Sequence, residues 1–331
     1  MQLENFDFQR IVSKLRHKTV FVTGGTGFVG KSLVDFILEL NRRFDCDIRI
    51  VVTSRKKPVN EASSKAFGVT YLSHDIQQPL PAEARADYII HAATPVVDAG
   101  VDFHHIVGII VNGTKNVLEF ARENKARVVL LSSGAVYGVN KSLQPVTESR
   151  GFGEPLYDLN SAYATGKRFA ELLAKAEYED VSYSVARCFT FSGRHLPLDK
   201  HFAIGNFVRD GLTNKTIHIQ GDGTATRSYL DADDLCYWLL TMAVEANSGS
   251  VYNVGSSEAV TIKELALKVK EFFPGIQVHI ANEGSTKTPE ALARSYYVPD
   301  TQKAQKELGL KMHCSLGESI RKMIESAQTS S

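Results

Sequence analysis

The sequence lacks the features that mark metal-binding, membrane-spanning or strongly charged proteins. Its four cysteines are widely scattered, without a CxxC pair or metal-ligand spacing, which predicts free thiols in a reducing compartment. No apolar run is long enough to span a membrane, and residues 1–18 lack the uninterrupted apolar core of a signal peptide. The formal net charge is only +1, so no overall field favours nucleic acid or an anionic membrane. We therefore predict a cytoplasmic protein with no metal, nucleic-acid or membrane partner.

The remaining composition is that of an ordinary globular protein. Hydrophobic residues make up 43% of the 331 positions and charged residues 23%, which is sufficient for a large core and one or two domains. Residues 1–18 mix charged and apolar side chains, and we interpret them as an amphipathic helix that leads into the first strand.

A glycine-rich turn lies between an apolar run at 20–22 and a helical pattern at 32–38. Gly24 allows a tight turn, Gly27 allows the backbone to approach a pyrophosphate, and Gly30 allows the helix to pack closely on its strand. Free amides at the start of the helix would then face the phosphates. Strand, turn and helix in this order predict a dinucleotide-binding site.

The second strand, predicted at 47–53, ends without an acidic residue. A strong preference for NAD usually places a carboxylate about 20 residues after the glycines, yet no Asp or Glu occurs between Ile48 and Pro58. Ser54, Arg55 and Lys56 stand there instead. This turn either accepts the 2′-phosphate of NADP or is a solvated turn in which Arg55 stacks on adenine, so NAD is expected and NADP stays open.

Strands and helices alternate through the first half of the chain. Apolar strand patterns occur at 69–72, 86–93, 127–131, 181–187 and 250–255, and helical patterns occur at 103–124 and after residue 160. This alternation predicts an α/β fold with a doubly wound parallel sheet of the Rossmann type. From Cys188 onward, loops and short helices near 202–210 and 262–273 indicate a smaller, discontinuous C-terminal domain.

Several short motifs then occur in one consistent order. They are Gly24-x-x-Gly27-x-x-Gly30, Asp75-Ile76, His91-Ala92-Ala93, Asn112-Gly113-Thr114, Ser132-Ser133 with Val136-Tyr137-Gly138, and Tyr163-x-x-x-Lys167. From Lys18 to about Gly309, the chain resembles the extended short-chain dehydrogenase/reductase superfamily, in its NAD-dependent epimerase/dehydratase family that acts on nucleotide sugars. The order and spacing of the motifs carry this resemblance, because each motif alone is common.

The resemblance implies a catalytic trio of Ser133, Tyr163 and Lys167. Tyr163 and Lys167 lie four residues apart and therefore project from one helical face. A tyrosine titrates near pH 10, and a lysine ammonium together with the positive charge of an oxidised nicotinamide favours the phenolate. Tyr163 would be the general base, Lys167 would tune it and bind the nicotinamide ribose, and Ser133 would hydrogen-bond the reacting oxygen.

Further residues are assigned to the two ligands. The cofactor residues are Gly24, Gly27, Phe28, Val29, Gly30, Ser54, Arg55, Asp75, Ile76, Ala92, Ala93, Tyr163 and Lys167. By the resemblance, Asp75 accepts from the adenine amino group. The substrate residues are Thr94, Ser133, Asn206, Arg227 and Arg294. Guanidinium groups suit phosphate oxygens, so the two arginines are expected to bind a nucleoside diphosphate.

Some positions depart from the family pattern. Dehydratases carry an acid just after the catalytic hydroxyl residue, but here Gly134 and Ala135 stand there. A 4,6-dehydratase is therefore disfavoured unless Glu148 or Glu154 reaches in from the following loop. Epimerisation, at C4 by resemblance, needs only reversible hydride transfer and is our first prediction. An NADP-dependent 4-ketosugar reductase or a dehydrogenase follows, then a dehydratase, then a cofactor-binding protein without catalysis.

The predicted organisation has three parts. Residues 1–18 form an N-terminal extension, 19–187 with about 228–255 form the dinucleotide-binding domain, and 188–227 with 256–331 form the nucleotide-sugar domain. Relatives form a homodimer through the helices that correspond to 103–124 and 161–178. Apolar residues of these helices, among them Phe169, Leu172 and Leu173, fit either such an interface or the internal core.

Overall fold

The computed structural model describes residues 6–55, 68–94, 103–153, 161–285 and 287–329. Its central feature is a seven-stranded sheet in which all neighbours are parallel. The strands are β1 (Thr19–Thr23), β2 (Arg49–Ser54), β3 (Val69–Ser73), β4 (Tyr88–His91), β5 (Arg127–Ser133), β6 (Tyr183–Cys188) and β11 (Ser250–Val254). Their order across the sheet is β11-β6-β5-β4-β1-β2-β3. The strand order reverses beside β1, which confirms the predicted Rossmann-type fold.

Helices cover both faces of this sheet. They are α1 (Gln9–Leu15), α2 (Phe28–Phe44), α3 (Phe103–Val107), α4 (Gly113–Asn124), α5 (Ala162–Glu177) and α7 (Ala232–Glu245). One core layer packs α1, α2 and α7 against one side, and the other packs α4 and α5 against the opposite side. The helix predicted at 103–124 is interrupted by a π-helical segment, Gly108–Asn112. In the described part of residues 1–18, the predicted helix is present as α1.

The C-terminal half contributes short elements with a core of their own. Its strands are β7 (Phe191–Ser192), β8 (Ile217–Ile219), β9 (Thr226–Arg227), β10 (Leu230–Asp231), β12 (Val260–Thr261), β13 (Val278–Ile280) and β14 (Tyr296–Tyr297). Its helices are α6 (Ala203–Leu212), α8 (Ile262–Lys270), α9 (Pro289–Arg294), α10 (Gln302–Leu308) and α11 (Leu316–Thr329). The domain boundaries stay a prediction.

Helix α5 packs on the sheet through a face different from the one that its apolar residues suggest. Phe169 and Leu172 are 51% and 52% exposed, so the interpretation of them as internal core is wrong. The buried face instead carries small and charged residues, among them Gly166, Lys167 and Glu171. Since a Cβ at Gly166 would lie 3.2 Å from the side chain of Ile110, a small residue is needed where the two helices meet.

None of the described helices combines the length and the apolar composition that crossing a bilayer requires. Across the same ranges, no three His, Cys, Asp or Glu side chains converge in a way that would hold a metal ion.

Candidate active site

The glycine turn after β1 forms a cradle that larger residues would fill. Gly24 has φ +70°, and a Cβ there would lie 2.8 Å from the Cα of Ala93. A Cβ at Gly30 would lie 2.3 Å from the Cα of Gly25, so only glycine lets α2 approach the turn this closely. Helix α2 begins at Phe28, and its first amides have no intrahelical acceptor. The turn therefore offers space and free N–H donors for a pyrophosphate.

A cavity of about 360 Å³ opens above this cradle. Most of the residues that we assigned to the cofactor line it, namely Gly24, Gly27, Phe28, Val29, Ser54, Arg55, Asp75, Ile76, Ala92 and Ala93. Gly30 lies behind them and supports the turn. The Asp75 carboxylate also accepts from the amide of Gln77 at 3.0 Å, so it caps its own loop while it faces the cavity. The shape and the lining of this cavity fit a nicotinamide dinucleotide.

Directly after β2, Arg55 presents a cationic group to the same cavity. Arg55 is exposed, and its guanidinium lies 3.4 Å from the imidazole of His105. Ser54 lies next to it in the cavity wall. Lys56, the third residue of the predicted turn, is outside the described residues. The choice between NAD and NADP therefore depends on what Arg55 contacts in the bound state.

The carboxyl end of β5 meets helix α5 at the predicted catalytic trio. Ser133 hydrogen-bonds the hydroxyl of Tyr163. Lys167 donates to the hydroxyl of Thr94 at 2.7 Å and to the carbonyl of Leu131 at 2.6 Å, and its ammonium lies 5.9 Å from the centre of the Tyr163 ring. Because Thr94 lines the cofactor cavity, the bond to Thr94 places the Lys167 ammonium at the edge of this cavity.

Burial shifts the pKa values of both ionisable members of the trio. It raises the pKa of Tyr163 to about 12, although the hydrogen bond from Ser133 acts in the opposite direction. It lowers the pKa of Lys167 to about 8. The protein's own groups therefore do not bring Tyr163 near neutral pH. The positive charge of a bound oxidised nicotinamide would add to that of Lys167 in favouring the phenolate.

Tyr297 is a member of this cluster that the sequence analysis missed. Its hydroxyl lies beside Ser133 and Gly134, and burial raises the pKa of Tyr297 above the usual value. It comes from β14, in the C-terminal half of the chain. In the sequence, the one hint that Tyr297 belongs to the site is that it follows Arg294 by three residues. No rule of spacing connects Tyr297 with Ser133.

A second cavity, of about 280 Å³, adjoins the trio on the side away from the cofactor turn. Arg227 and Arg294 both line it, together with Gly134, Phe189 and Tyr297. The Arg227 guanidinium donates to the carbonyls of Thr226 and Ser295 and lies 5.7 Å from the centre of the Tyr297 ring. The structure thus brings together two cations that lie far apart in the sequence.

Not every predicted substrate residue reaches this cavity. Asn206 is not among the residues that line it, and its side-chain oxygen accepts from Arg209 at 3.1 Å within α6. Thr94 lies on the cofactor side and is bonded to Lys167. Glu148 accepts from the amide of Asn253 at 2.8 Å, which engages its carboxylate with β11. Glu154 lies outside the described residues.

The parallel sheet, the glycine cradle at its switch point and the Ser–Tyr–Lys cluster define an extended short-chain dehydrogenase/reductase. Residues 20–255 match the NAD-dependent epimerase/dehydratase family. The protein belongs to this family, whose cofactor is NAD, and is an enzyme of that class.

Individual relatives have several activities. UDP-glucuronic acid decarboxylase 3 of Arabidopsis thaliana is 28% identical over 315 residues, which covers 92% of this chain and 88% of the relative. The structure of UDP-N-acetylglucosamine 4-epimerase from Methanobrevibacter ruminantium matches with a TM-score of 0.79 at 21% identity, over 96% of this chain and all of that one. A dTDP-glucose 4,6-dehydratase from Streptomyces venezuelae, solved with NAD, matches with a TM-score of 0.75 at 24% identity, over 94% of this chain and 97% of that one. These structures share the fold, and their reactions differ.

Proposed function

We propose that the protein oxidises a carbinol of a nucleoside-diphosphate sugar, at C4, and then reduces the same carbon, so that the net reaction is epimerisation. The observation that carries this proposal is the position of the trio between the two cavities. Lys167 is bonded to Thr94 in the wall of the cofactor cavity, and Gly134, next to Ser133, lines the arginine-lined cavity. Bound NAD would supply the acceptor and donor for this hydride. A sugar hydroxyl beside Tyr163 would be within reach of both a base and a hydride acceptor.

The three residues of the trio have separate roles in this scheme. Tyr163 takes the hydroxyl proton during oxidation and returns it during reduction. Lys167, held by Thr94 and Leu131, supplies a nearby positive charge that stabilises the phenolate and binds the nicotinamide ribose. Ser133 donates to the reacting oxygen, which fixes the sugar carbon in front of the cofactor.

The arginine-lined cavity is suited to the diphosphate. Arg227 and Arg294 supply two positive charges in one wall, and guanidinium groups pair well with phosphate oxygens. The neighbouring aromatic rings of Phe189 and Tyr297 offer flat apolar surface for a base or a sugar ring. A nucleoside diphosphate placed here would direct its sugar toward Ser133.

Epimerisation is preferred because it needs no further acid. A 4,6-dehydratase must protonate a leaving hydroxyl, and neither Gly134 nor Ala135 carries an acid. The carboxylate of Glu148 accepts from the amide of Asn253 on β11, and Glu148 does not line the arginine-lined cavity. An NADP-dependent 4-ketosugar reductase or a dehydrogenase is the next alternative, motivated by Arg55 at the end of β2.

A decarboxylase is a second candidate that the relatives favour. UDP-glucuronic acid decarboxylases of plants and fish match more than nine-tenths of this chain at about the same identity. Oxidation of a uronic acid at C4 gives a β-keto acid, whose carboxylate leaves as CO2. The resulting enolate takes up a proton at C5, and the returned hydride then reduces C4. The first step is the same as in epimerisation, so the same trio serves both reactions.

One experiment separates these reactions by the mass of the product. The purified protein is incubated with NAD and, in turn, UDP-glucose, UDP-N-acetylglucosamine, dTDP-glucose and UDP-glucuronic acid, and the products are analysed by mass spectrometry and proton NMR. Epimerisation leaves the mass unchanged, decarboxylation removes CO2 and dehydration removes water. The Tyr163→Phe variant is the control, and activity that survives in this variant would contradict the proposed acid–base role.

We further propose that the protein is a homodimer that pairs through α5 and its neighbouring helices. The support is the exposure of Phe169 and Leu172 on the outer face of α5, where two large apolar side chains face solvent one turn apart. A cytoplasmic location stays a prediction.

A further inference from the structure

Helix α5 carries a third functional side chain on the face that holds Tyr163 and Lys167. Glu171 follows Lys167 by four residues, as Lys167 follows Tyr163, so the three side chains lie one above the other. Glu171 is buried, with 8% of its surface exposed. A buried carboxylate is costly unless it is paired, so its contacts need an explanation.

The three side chains of α5 contact three successive residues at the end of β5. These contacts are Lys167 to the carbonyl of Leu131, the hydroxyl of Ser132 to Glu171, and Tyr163 to Ser133. Each contact fixes a different point of the strand end. Together they set the register of the helix against the strand, which a single contact would leave free to slide or tilt.

Arg187 on β6 holds the charge of Glu171. Its Nη2 donates to one carboxylate oxygen at 2.7 Å, and its Nε lies 3.1 and 3.2 Å from the two oxygens. Both side chains are 7% exposed. Carboxylate oxygens accept hydrogen bonds, and the Ser132 hydroxyl donates to one of them. The direction of the Ser132 hydroxyl is thereby determined.

The network continues from Arg187 to the substrate side of the site. Arg187 donates to the hydroxyl of Tyr137 at 3.0 Å, which donates to the side-chain oxygen of Asn253 at 2.7 Å. The side-chain amide of Asn253 donates to the backbone carbonyl of Asp300 at 3.1 Å. Three residues before Asp300 lies Tyr297, whose hydroxyl lies beside Ser133. The hydrogen bonds therefore lead from Ser132 to the backbone of Asp300, and the chain itself continues from there to Tyr297.

We propose that Glu171 is a positioning residue, which acts through Ser132 and Arg187 to hold Ser133 between Tyr163 and Tyr297. Glu171 thereby links α5, which carries Tyr163, to the segment around Tyr297 that lines the arginine-lined cavity. The chemistry of this role rests on the proposed function, whereas the geometry does not. Buried ion pairs contribute little net stability but specify geometry well, which agrees with such a role.

The principal test removes the Ser132 hydroxyl and leaves the ion pair intact. Glu171→Gln is unsuitable, because it would leave Arg187 buried without its counter-charge and risk unfolding. Ser132→Ala removes one bond, and Ser132→Thr keeps a hydroxyl and is the rescue variant. Ser319→Ala is the matched control, since the buried Ser319 also donates to a buried carboxylate, that of Asp231, at 2.5 Å.

The readout is the ionisation of Tyr163 in the NAD-loaded protein, followed by NMR of ring-labelled tyrosine and assigned with Tyr163→Phe. The other titratable groups that face Tyr163 are Lys167 on its own helix, Cys188 on β6 and Tyr297 on β14. Because the bond from Ser133 favours the phenolate, Ser132→Ala should move the midpoint to higher pH. Ser132→Thr should restore it, and Ser319→Ala should leave it unchanged.

This readout needs no sugar, so it tests the positioning role even if the proposed reaction is wrong. When a substrate that the wild-type protein converts is used, Ser132→Ala should also lower kcat about tenfold. KM should change little, as expected for a misplaced catalytic group. An unchanged midpoint, or an equal change in Ser319→Ala, would overturn the proposal.

If Ser132→Ala does not fold, Tyr137→Phe breaks the same network at another point. Its matched control is Tyr252→Phe, because the Tyr252 ring is buried and its hydroxyl donates to Glu307 at 2.8 Å, outside the network. A Tyr163 midpoint that moves only in Tyr137→Phe supports the proposal. Equal behaviour of the two variants would overturn it.

Discussion

The hydroxyl of Tyr297 lies beside Ser133 and Gly134, although 163 positions separate Tyr297 from Ser133 in the sequence. Tyr297 belongs to the C-terminal strand β14, and Ser133 ends the central strand β5. This approach brings the substrate side of the site to the catalytic cluster. A Cβ at Gly134 would lie 2.6 Å from this hydroxyl, so the absence of a side chain at 134 is what lets Tyr297 enter.

Tyr297→Phe should lower kcat roughly tenfold, because Ser133 loses the partner that orients its hydroxyl toward the reacting oxygen. The ring stays in place, so the free energy of unfolding should fall by only about 1 kcal/mol. Steady-state kinetics and a denaturant titration check the two parts. A variant with wild-type kcat would show that Tyr297 only fills space. Tyr252→Phe is again the control for the loss of one buried hydroxyl.

His91 should make the protein sensitive to acid. Its ring is buried at the end of β4, 2.8 Å from the hydroxyl of Thr23, and burial lowers its pKa to about 3. Below pH 6.5 the unfolded chain binds a proton at this histidine that the folded protein does not bind, so stability falls with decreasing pH. For this group alone, the loss between pH 7.5 and pH 5 is about 2 kcal/mol.

The measurement is urea unfolding of the wild type and His91→Asn at both pH values. The variant should be less stable at pH 7.5, because it loses ring packing. Its further loss at pH 5 should be smaller than that of the wild type, since the titrating group is gone. Equal losses in both proteins would show that His91 does not stay neutral in the folded state.

Arg55 provides a test of cofactor selection. If its guanidinium binds a 2′-phosphate, Arg55→Ala should weaken NADPH binding about tenfold and leave NADH binding nearly unchanged, since hydrogen bonds to charged groups contribute about 1.5–3 kcal/mol. If Arg55 stacks on adenine, both affinities should fall together. Calorimetry with each nucleotide distinguishes these outcomes. Arg49→Ala, at the opposite end of β2, is the control for the loss of an arginine from this strand.

Stronger binding of NADPH than of NADH would move the reductase ahead of the epimerase, because a net reduction consumes its cofactor in each turnover. The nucleotide that co-purifies with the protein gives a second check. Tightly held NAD would favour a reaction that regenerates its own cofactor.

The outer face of α5 should mediate dimerisation. Light scattering with size exclusion should give twice the mass of one chain for the wild type and a single-chain mass for the double variant Phe169→Glu, Leu172→Glu, because two buried charges at an interface are costly. Leu267→Glu is the matched control, since Leu267 is 44% exposed on α8, in a different part of the fold. A monomeric wild type would rule out the dimer.

The sequence alone was sufficient for the features that depend on local spacing. Strand, glycine turn and helix are consecutive in the chain, and Tyr163 and Lys167 share a helical face because they are four residues apart. The order of strands and helices was equally informative about the parallel sheet, since short connections limit the topologies that a chain can adopt. A cleft at the carboxyl ends of the strands could also be anticipated, because these ends meet at one edge of a parallel sheet.

Only the tertiary structure decided which distant residues meet. It brought Tyr297 to Ser133 and Arg187 to Glu171, kept Asn206 out of the substrate cavity, and placed Phe169 and Leu172 on the surface. These outcomes depend on how separate elements pack, and hydrophobic periodicity does not report whether an apolar face meets the core or a second chain. The burial of Glu171 is the clearest case. A glutamate on a helix is expected to face solvent, and the sequence does not show that Arg187 on β6 pairs with it.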